Sequence, residues 1–201
     1  MTQIFNELRP LAIAKLALKP GDTVLDLACG SGLSFEYLER EVGLGGRIIG
    51  VEISPDMLAL ARERIERHKW DNITLIESTA EEVDMPGPVD AVLCFFTPQI
   101  MSSRLALERA LAALRPGGRI VVSGVKHAEG VRGMPVTLFY MIRFRVWRFV
   151  NVKELVNRLW GTEQPYTILE SMVDSLERRD YQRGCSYIAY AVKGANASSG
   201  S

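Results

Sequence analysis

Val24-Leu25-Asp26-Leu27-Ala28-Cys29-Gly30-Ser31-Gly32 is an apolar run that ends in an acid and gives way to small residues. Thr23 to Leu27 has the length and composition of a buried strand. A glycine-rich turn follows, and a helical pattern begins near Leu33 and reaches Val42. Strand, tight turn and helix in that order open a β-α unit. The pattern then repeats. Arg47 to Glu52 reads as a second strand, preceded by Gly43, Gly45 and Gly46, and Ser54-Pro55-Asp56 opens a long helix. Ser54 is the expected N-cap, and Pro55 takes the first helical position, where a missing N–H costs nothing. Met57, Leu58, Ala61 and Ile65 recur at helical spacing with charges between them.

Working outward, Ile73 to Glu77 and Ala91 to Phe95 are the third and fourth strands. A helix over Leu105 to Leu114 is expected to stop at Arg115-Pro116-Gly117-Gly118, and Arg119 to Gly124 is the fifth strand. Alternation of this kind implies parallel strands joined by right-handed crossovers. Beyond Gly124 lie an apolar, arginine-studded stretch from Met134 to Val150 and a helical pattern from Val152 to Trp160. Two strand-like runs follow, Thr167 to Val173 and Cys185 to Val192, separated by the charged segment Asp174 to Gly184. The expected fold is therefore α/β: a doubly wound, mostly parallel, seven-stranded, Rossmann-like sheet with a C-terminal antiparallel hairpin. One domain is expected over 1–194, with a lid-like insertion at about 126–166. The low-complexity tail 195–201 is expected to be disordered or an expression scar.

A chain of 201 residues suffices for one domain with a substantial core. Lys plus Arg and Asp plus Glu both number 24, so the formal net charge is zero and there is no global attraction to nucleic acid or an acidic membrane. Cys29, Cys94 and Cys185 are widely spaced and form neither a C-x-x-C pair nor a zinc pattern, so no metal is expected. They read as free thiols in a reducing compartment. The first residues lack the basic and apolar segments of a signal peptide, and the apolar stretch near Val136 to Met141 is far too short to span a bilayer. The expected location is cytoplasmic.

In this architecture ligands sit outside the carboxyl ends of the strands, where strand order reverses. Ala28, Gly30 and Gly32 project little, which lets a ligand approach the backbone. Glu52, ending the second strand, is placed to accept from both hydroxyls of a ribose. A dinucleotide loop wants G-x-G-x-x-G, yet the third position here is the bulky Phe35. Asp26 would also set a negative charge near a pyrophosphate. Both features argue against NAD and suit a ligand with a cationic amino group and a sulfonium, S-adenosylmethionine.

These motifs resemble those of class I S-adenosylmethionine-dependent methyltransferases, over Val24 to about Gly124 and more weakly through the final hairpin. Val24 to Gly32 looks like the family's first motif, and Gly50-Val51-Glu52-Ile53-Ser54-Pro55-Asp56-Met57-Leu58 like its second. The resemblance implies that Asp26 and the backbone at Ala28 and Gly30 hold the methionyl end, that Glu52 holds the ribose and that Ile53 packs on adenine. Cys29, Gly32 and Met57 complete those two motifs in the expected cofactor set. Many relatives carry an acid followed by alanine after the third strand. This chain has Thr79-Ala80, leaving Thr79 or Glu81 to accept from adenine, or Thr79 to serve only as a helix cap.

The fourth strand ends Cys94-Phe95-Phe96-Thr97-Pro98-Gln99, without the Asn-Pro-Pro-aromatic signature frequent in enzymes that methylate amino groups of nucleic acids and proteins. Phe95 and Phe96 either face a sulfonium or amine through their ring quadrupoles or belong to the core. Residues 134–150 interleave aromatics with Arg143, Arg145 and Arg148, which suits a lid over an amphiphilic acceptor with peripheral membrane contact, or a packed helix with snorkelling arginines. Small relatives that methylate lipid headgroup amines share this plan. His127 and Tyr140 are the candidate catalytic groups. The acceptor expected is a small or amphiphilic amine, with no nucleic acid partner. The alternatives are O- or C-transfer to a quinone-like aromatic, and a silent cofactor-binding domain.

Overall fold

The computed structural model describes residues 2–84, 87–126 and 164–194. Seven strands form one sheet in the order β3-β2-β1-β4-β5-β7-β6. They are β1 (Thr23–Leu27), β2 (Arg47–Glu52), β3 (Ile73–Glu77), β4 (Val89–Phe95), β5 (Leu114–Val125), β6 (Glu177–Tyr181) and β7 (Ser186–Val192). β1 to β5 pair in parallel, while β7 runs antiparallel to both β5 and β6. Strand order reverses at β1, which lies between β2 and β4. The doubly wound sheet with its C-terminal hairpin is the architecture expected from the sequence.

Strand alternation sorts the core into two layers. On one face Val24, Ile48, Leu93, Phe95 and Val121 meet α1 (Thr2–Leu16), α2 (Phe35–Val42) and Ala61 of α3 (Pro55–His68). On the other, Leu25, Leu27, Val51, Val92 and Ile120 pack on Ala106, Leu107 and Ala110 of α5 (Arg104–Ala113). A single turn, α4 (Pro98–Met101), joins β4 to α5. The fully buried Asp26 shares the face that packs on α1 and α2, with Gly50 and Leu93 as its cross-strand neighbours. Gly50 has to be bare: a Cβ there would lie 2.8 Å from Cys29 Sγ and 3.0 Å from Phe35 Cζ. In α3, Ser54 caps as expected, its Oγ accepting from Met57 N–H.

Three local expectations need correction. The stop at Arg115 to Gly118 is not a loop before the strand, because β5 already begins at Leu114, directly after α5. Residues 115–118 bulge from it, since Val89 pairs with Leu114 while Ala91 pairs with Arg119. Thr167 to Val173 is not a strand. It starts as the helical turn α6 (Thr167–Glu170), and its apolar residues Leu169, Met172 and Val173 pack into the α5 layer. The strand lies in the charged segment instead, at Glu177 to Tyr181. An edge strand with little burial needs no apolar alternation, and charge along it discourages pairing with other chains.

The sequence reading also assigned no element to the first residues, where α1 forms. Leu8, Ala12, Ile13 and Leu16 have helical spacing and are buried, although Pro10 interrupts the pattern. No helix among the described residues is long and apolar enough to cross a membrane. Most of the insertion expected at 126–166, including 134–150 and the helix at 152–160, lies outside the described residues, as does the tail 195–201.

Candidate functional site

The turn after β1 is held from several sides. Cys29 N–H donates to Val51 O, Gly32 N–H to Cys29 O, and Phe35 N–H to Gly32 O. Arg64 on α3 reaches across, its Nε donating to Ser31 O at 3.0 Å. Ala28, Gly30 and Gly32 all have positive φ, at 55°, 57° and 72°. That conformation strains Ala28 and suits the two glycines. The glycines do different work. A Cβ on Gly30 would meet nothing within 4 Å, so its backbone borders open space, whereas a Cβ on Gly32 would lie 2.5 Å from the Phe35 ring. Gly32 is required by helix packing, and Gly30 leaves room beside the loop.

Asp26 is the most perturbed acid of the site. Its pKa is raised from 3.8 to about 7, chiefly by burial and also by Glu52, against the lowering pull of Arg9 and of a hydrogen bond with Ser34. Its Oδ2 is buried without a hydrogen-bond partner. An unsatisfied buried carboxylate oxygen is costly and asks for a ligand donor. The cationic amino group of a methionyl moiety is a donor of the right charge, so this residue fits the implied cofactor.

Glu52 is partly buried and organises the loop. Its Oε2 accepts from Gly30 N–H at 3.0 Å, and its Oε1 accepts from Ile53 and Ser54 N–H, each at 3.0 Å. A carboxylate offers about four acceptor positions, so one remains at Oε2 for a hydroxyl. Gly30 N–H is engaged, and its carbonyl accepts only a weak bond from Cys29 Sγ at 3.8 Å, which leaves that oxygen a second acceptor position for a ligand. Next to Glu52, Ile53 is 62% exposed and Met57 42% exposed. Bare apolar side chains just after β2 and in the first turn of α3 are what a flat ring would cover.

Thr79 is committed to its turn. Its Oγ1 accepts from Glu82 N–H at 3.1 Å and donates to Glu82 Oε2 at 3.2 Å, as a capping residue does. Ala80 is buried in the α5 layer. Phe95 is buried as well, in the layer under α1, and meets Phe96 edge-on with ring centroids 4.8 Å apart. Phe96 carries φ of 60°, a strained conformation for an aromatic residue at a strand end. The adjacent Thr97 is buried and its Oγ1 has no partner, although it stands at the N-cap of α4. His127 and Tyr140 lie outside the described residues.

Sequence reasoning missed Arg9. It is buried on α1, donates from Nη1 to Ser34 Oγ at 2.7 Å, and lies with its guanidinium carbon 4.4 Å above the Phe95 ring. The legible signal was an arginine within the apolar stripe Leu8, Ala12, Ile13 and Leu16. Cys29 and Cys94 are buried, and burial pushes both thiols well above their ordinary value, with Asp26 adding to it. Neither is a nucleophile in this state.

Residues 24–118 match a protein family described as a methyltransferase domain. The chain is similar to an arsenite methyltransferase of Halobacterium salinarum, 32% identical over 120 residues, covering 58% of this chain and 30% of that one. It is 37% identical over 111 residues to a ribosomal protein L11 methyltransferase of Cupriavidus necator, covering 54% and 33%. The chain thus spans about a third of the length of these curated relatives. In fold it is similar to the crystal structure of the N-methyltransferase NodS from Bradyrhizobium japonicum, with a TM-score of 0.66 at 17% identity, covering 96% of this chain and 98% of that one.

Proposed function

We propose that this chain, which resembles class I S-adenosylmethionine-dependent methyltransferases in motif and fold, transfers a methyl group from that cofactor to a small or amphiphilic amine. The observation that carries the cofactor reading is the unpartnered Oδ2 of Asp26, fully buried at the end of the central strand beside a loop with open space at Gly30. When bound, S-adenosylmethionine supplies a methyl group already activated by its sulfonium. Asp26 takes the cofactor's ammonium, Glu52 accepts from the ribose at Oε2, and Ile53 and Met57 cover the adenine. Thr79, with its hydroxyl engaged in the turn, contributes at most one remaining lone pair to that ring.

For a displacement at an activated carbon the chain mainly has to align the acceptor and exclude water. Phe96 and Thr97, at the end of β4, are the described residues assigned to that side. A general base is needed only where the acceptor must lose a proton, and His127 and Tyr140 remain the candidates. An amine is favoured over nucleic acid because the net charge is zero and Thr97-Pro98-Gln99 replaces the Asn-Pro-Pro-aromatic signature. Residues 134–150 are proposed to cover the acceptor and to touch an anionic membrane surface from the cytoplasmic side.

The test is turnover of S-adenosylmethionine to S-adenosylhomocysteine with a panel of acceptors: small amines, vesicles bearing headgroup amines, phenols, quinols and RNA. Mass spectrometry locates the transferred methyl. Transfer to an amine supports the proposal. Transfer to oxygen, carbon or RNA alone overturns the acceptor, and cofactor binding without transfer to any of them points to a silent domain.

A further inference from the structure

We infer that the Thr97 hydroxyl accepts a hydrogen bond from an N–H of the acceptor amine, and that methylation therefore stops at the tertiary amine. This rests on the amine acceptor proposed above. Thr97 is 4% exposed, and its Oγ1 is buried without a hydrogen-bond partner. At the N-cap of α4 a threonine ordinarily accepts from an N–H of the first turn, yet this one makes no such bond. Ser54 and Ser103, at the starts of α3 and α5, both do. The Thr97 carbonyl is already used, accepting from Met101 N–H, so the hydroxyl is the spare group. A buried hydroxyl in that state is costly and asks for a partner.

The backbone holds the hydroxyl at the right edge of the sheet. Leu93 of β4 stands beside Asp26 of β1, so Phe95 ends level with Ala28, where the glycine-rich turn begins, and Thr97 follows at the carboxyl edge. Between them Phe96 is kept at φ of 60°, with its N–H donating to Ser123 O of β5. Such strain persists only where the surroundings impose it. In transfer to nitrogen, the lone pair forms the N–C bond while the S–C bond breaks with its electrons left on sulfur. The new ammonium then releases a proton to water. The lone pair has to face the methyl group, so the amine meets the protein through its N–H groups. An oxygen that accepts from one of them fixes the direction of the lone pair. Primary and secondary amines have an N–H to offer. A tertiary amine has none, leaves Oγ1 unpaired and is rejected for it.

The experiment uses two acceptor series on the whole chain: benzylamine, and phosphatidylethanolamine in vesicles, each with its N-methyl and N,N-dimethyl homologues. Mass spectrometry counts the methyl groups added, and kcat/KM is measured for each amine. The native protein should carry the primary amine to the dimethyl product, with the dimethyl amine turned over at least about tenfold more slowly than the secondary one. Thr97→Val keeps the shape and removes the hydroxyl. It should bring the primary and secondary amines down to the rate of the tertiary one. Neither its affinity for S-adenosylhomocysteine nor its thermal midpoint should fall, since an unpaired buried polar atom is lost. Thr97→Ser should restore the preference, and Thr97→Ala stands in if Thr97→Val does not fold. A quaternary product formed as fast as the tertiary one overturns the inference. So does a preference that survives in Thr97→Val, which would make it one of bulk, and so does lost affinity for S-adenosylhomocysteine, which would put the hydroxyl on the cofactor. A native protein that binds S-adenosylhomocysteine and methylates no member of either series refutes the amine reading itself, which is a different outcome.

Discussion

Asp26→Asn should stabilise the ligand-free protein at pH 8 and leave it unchanged near pH 4. The carboxyl is fully buried, and its pKa is raised from 3.8 to about 7, first by burial and then by Glu52, against the opposing pull of Arg9 and Ser34. The unfolded acid therefore loses its proton at lower pH than the folded one. Between those values the folded chain holds more protons, so stability falls as pH rises. The contribution is fully present below 3.8 and is lost as pH passes about 7. A difference of that size corresponds to about 4 kcal/mol as an upper bound, since 1 pH unit is worth 1.36 kcal/mol. Asparagine keeps the shape of the neutral acid and never pays the ionisation penalty. Urea unfolding of both proteins without ligand, at pH 4, 6 and 8, reads the effect directly. The curves should coincide at pH 4 and separate progressively, with the variant more stable. A gap that does not vary with pH, or a variant less stable at pH 8, would show that the folded protein holds the carboxylate comfortably and would refute the reasoning.

Glu52→Ala removes the ribose acceptor and frees Gly30, Ile53 and Ser54 N–H, so calorimetry should show cofactor affinity falling by roughly 2–3 kcal/mol. Unchanged affinity in a folded variant removes the ribose assignment. Gly30→Ala should fold, at a cost of about 1–2 kcal/mol for its left-handed φ, and lose cofactor binding because its Cβ enters the open space. Gly32→Val, by contrast, should lose stability in thermal unfolding as its Cβ meets Phe35. Gly50→Ala should lower stability by about 1–3 kcal/mol through overpacking against Cys29 and Phe35, measured in the same way, with an unchanged midpoint counting against the packing.

The central strands β1 and β2 were legible because they are buried on both faces, and burial writes itself as apolar runs such as Thr23 to Leu27 and Arg47 to Glu52. β6 was not legible, because the exposed edge sequence Glu-Arg-Arg-Asp-Tyr has no apolar pattern to read. Thr167 to Val173 misled for the opposite reason, its apolar content reporting burial against α5 rather than a pleat. At the site, Asp26 and Glu52 stood out because acids end buried strands. Arg9 lies 17 residues before Asp26 in sequence, and only the packing of α1 across the sheet brings it to the same pocket. Gly30 and Gly32 looked alike as small residues, and only the three-dimensional position of Phe35 separates their roles.

Titration of the native protein with S-adenosylhomocysteine, and separately with NAD, tests the central claim most directly. The buried acceptor at Asp26, the free position on Glu52 Oε2 and the bulky Phe35 in place of a third glycine predict one molecule of S-adenosylhomocysteine bound per chain and no measurable binding of NAD. Binding of NAD in its place, or of neither ligand by a folded protein, would contradict the account.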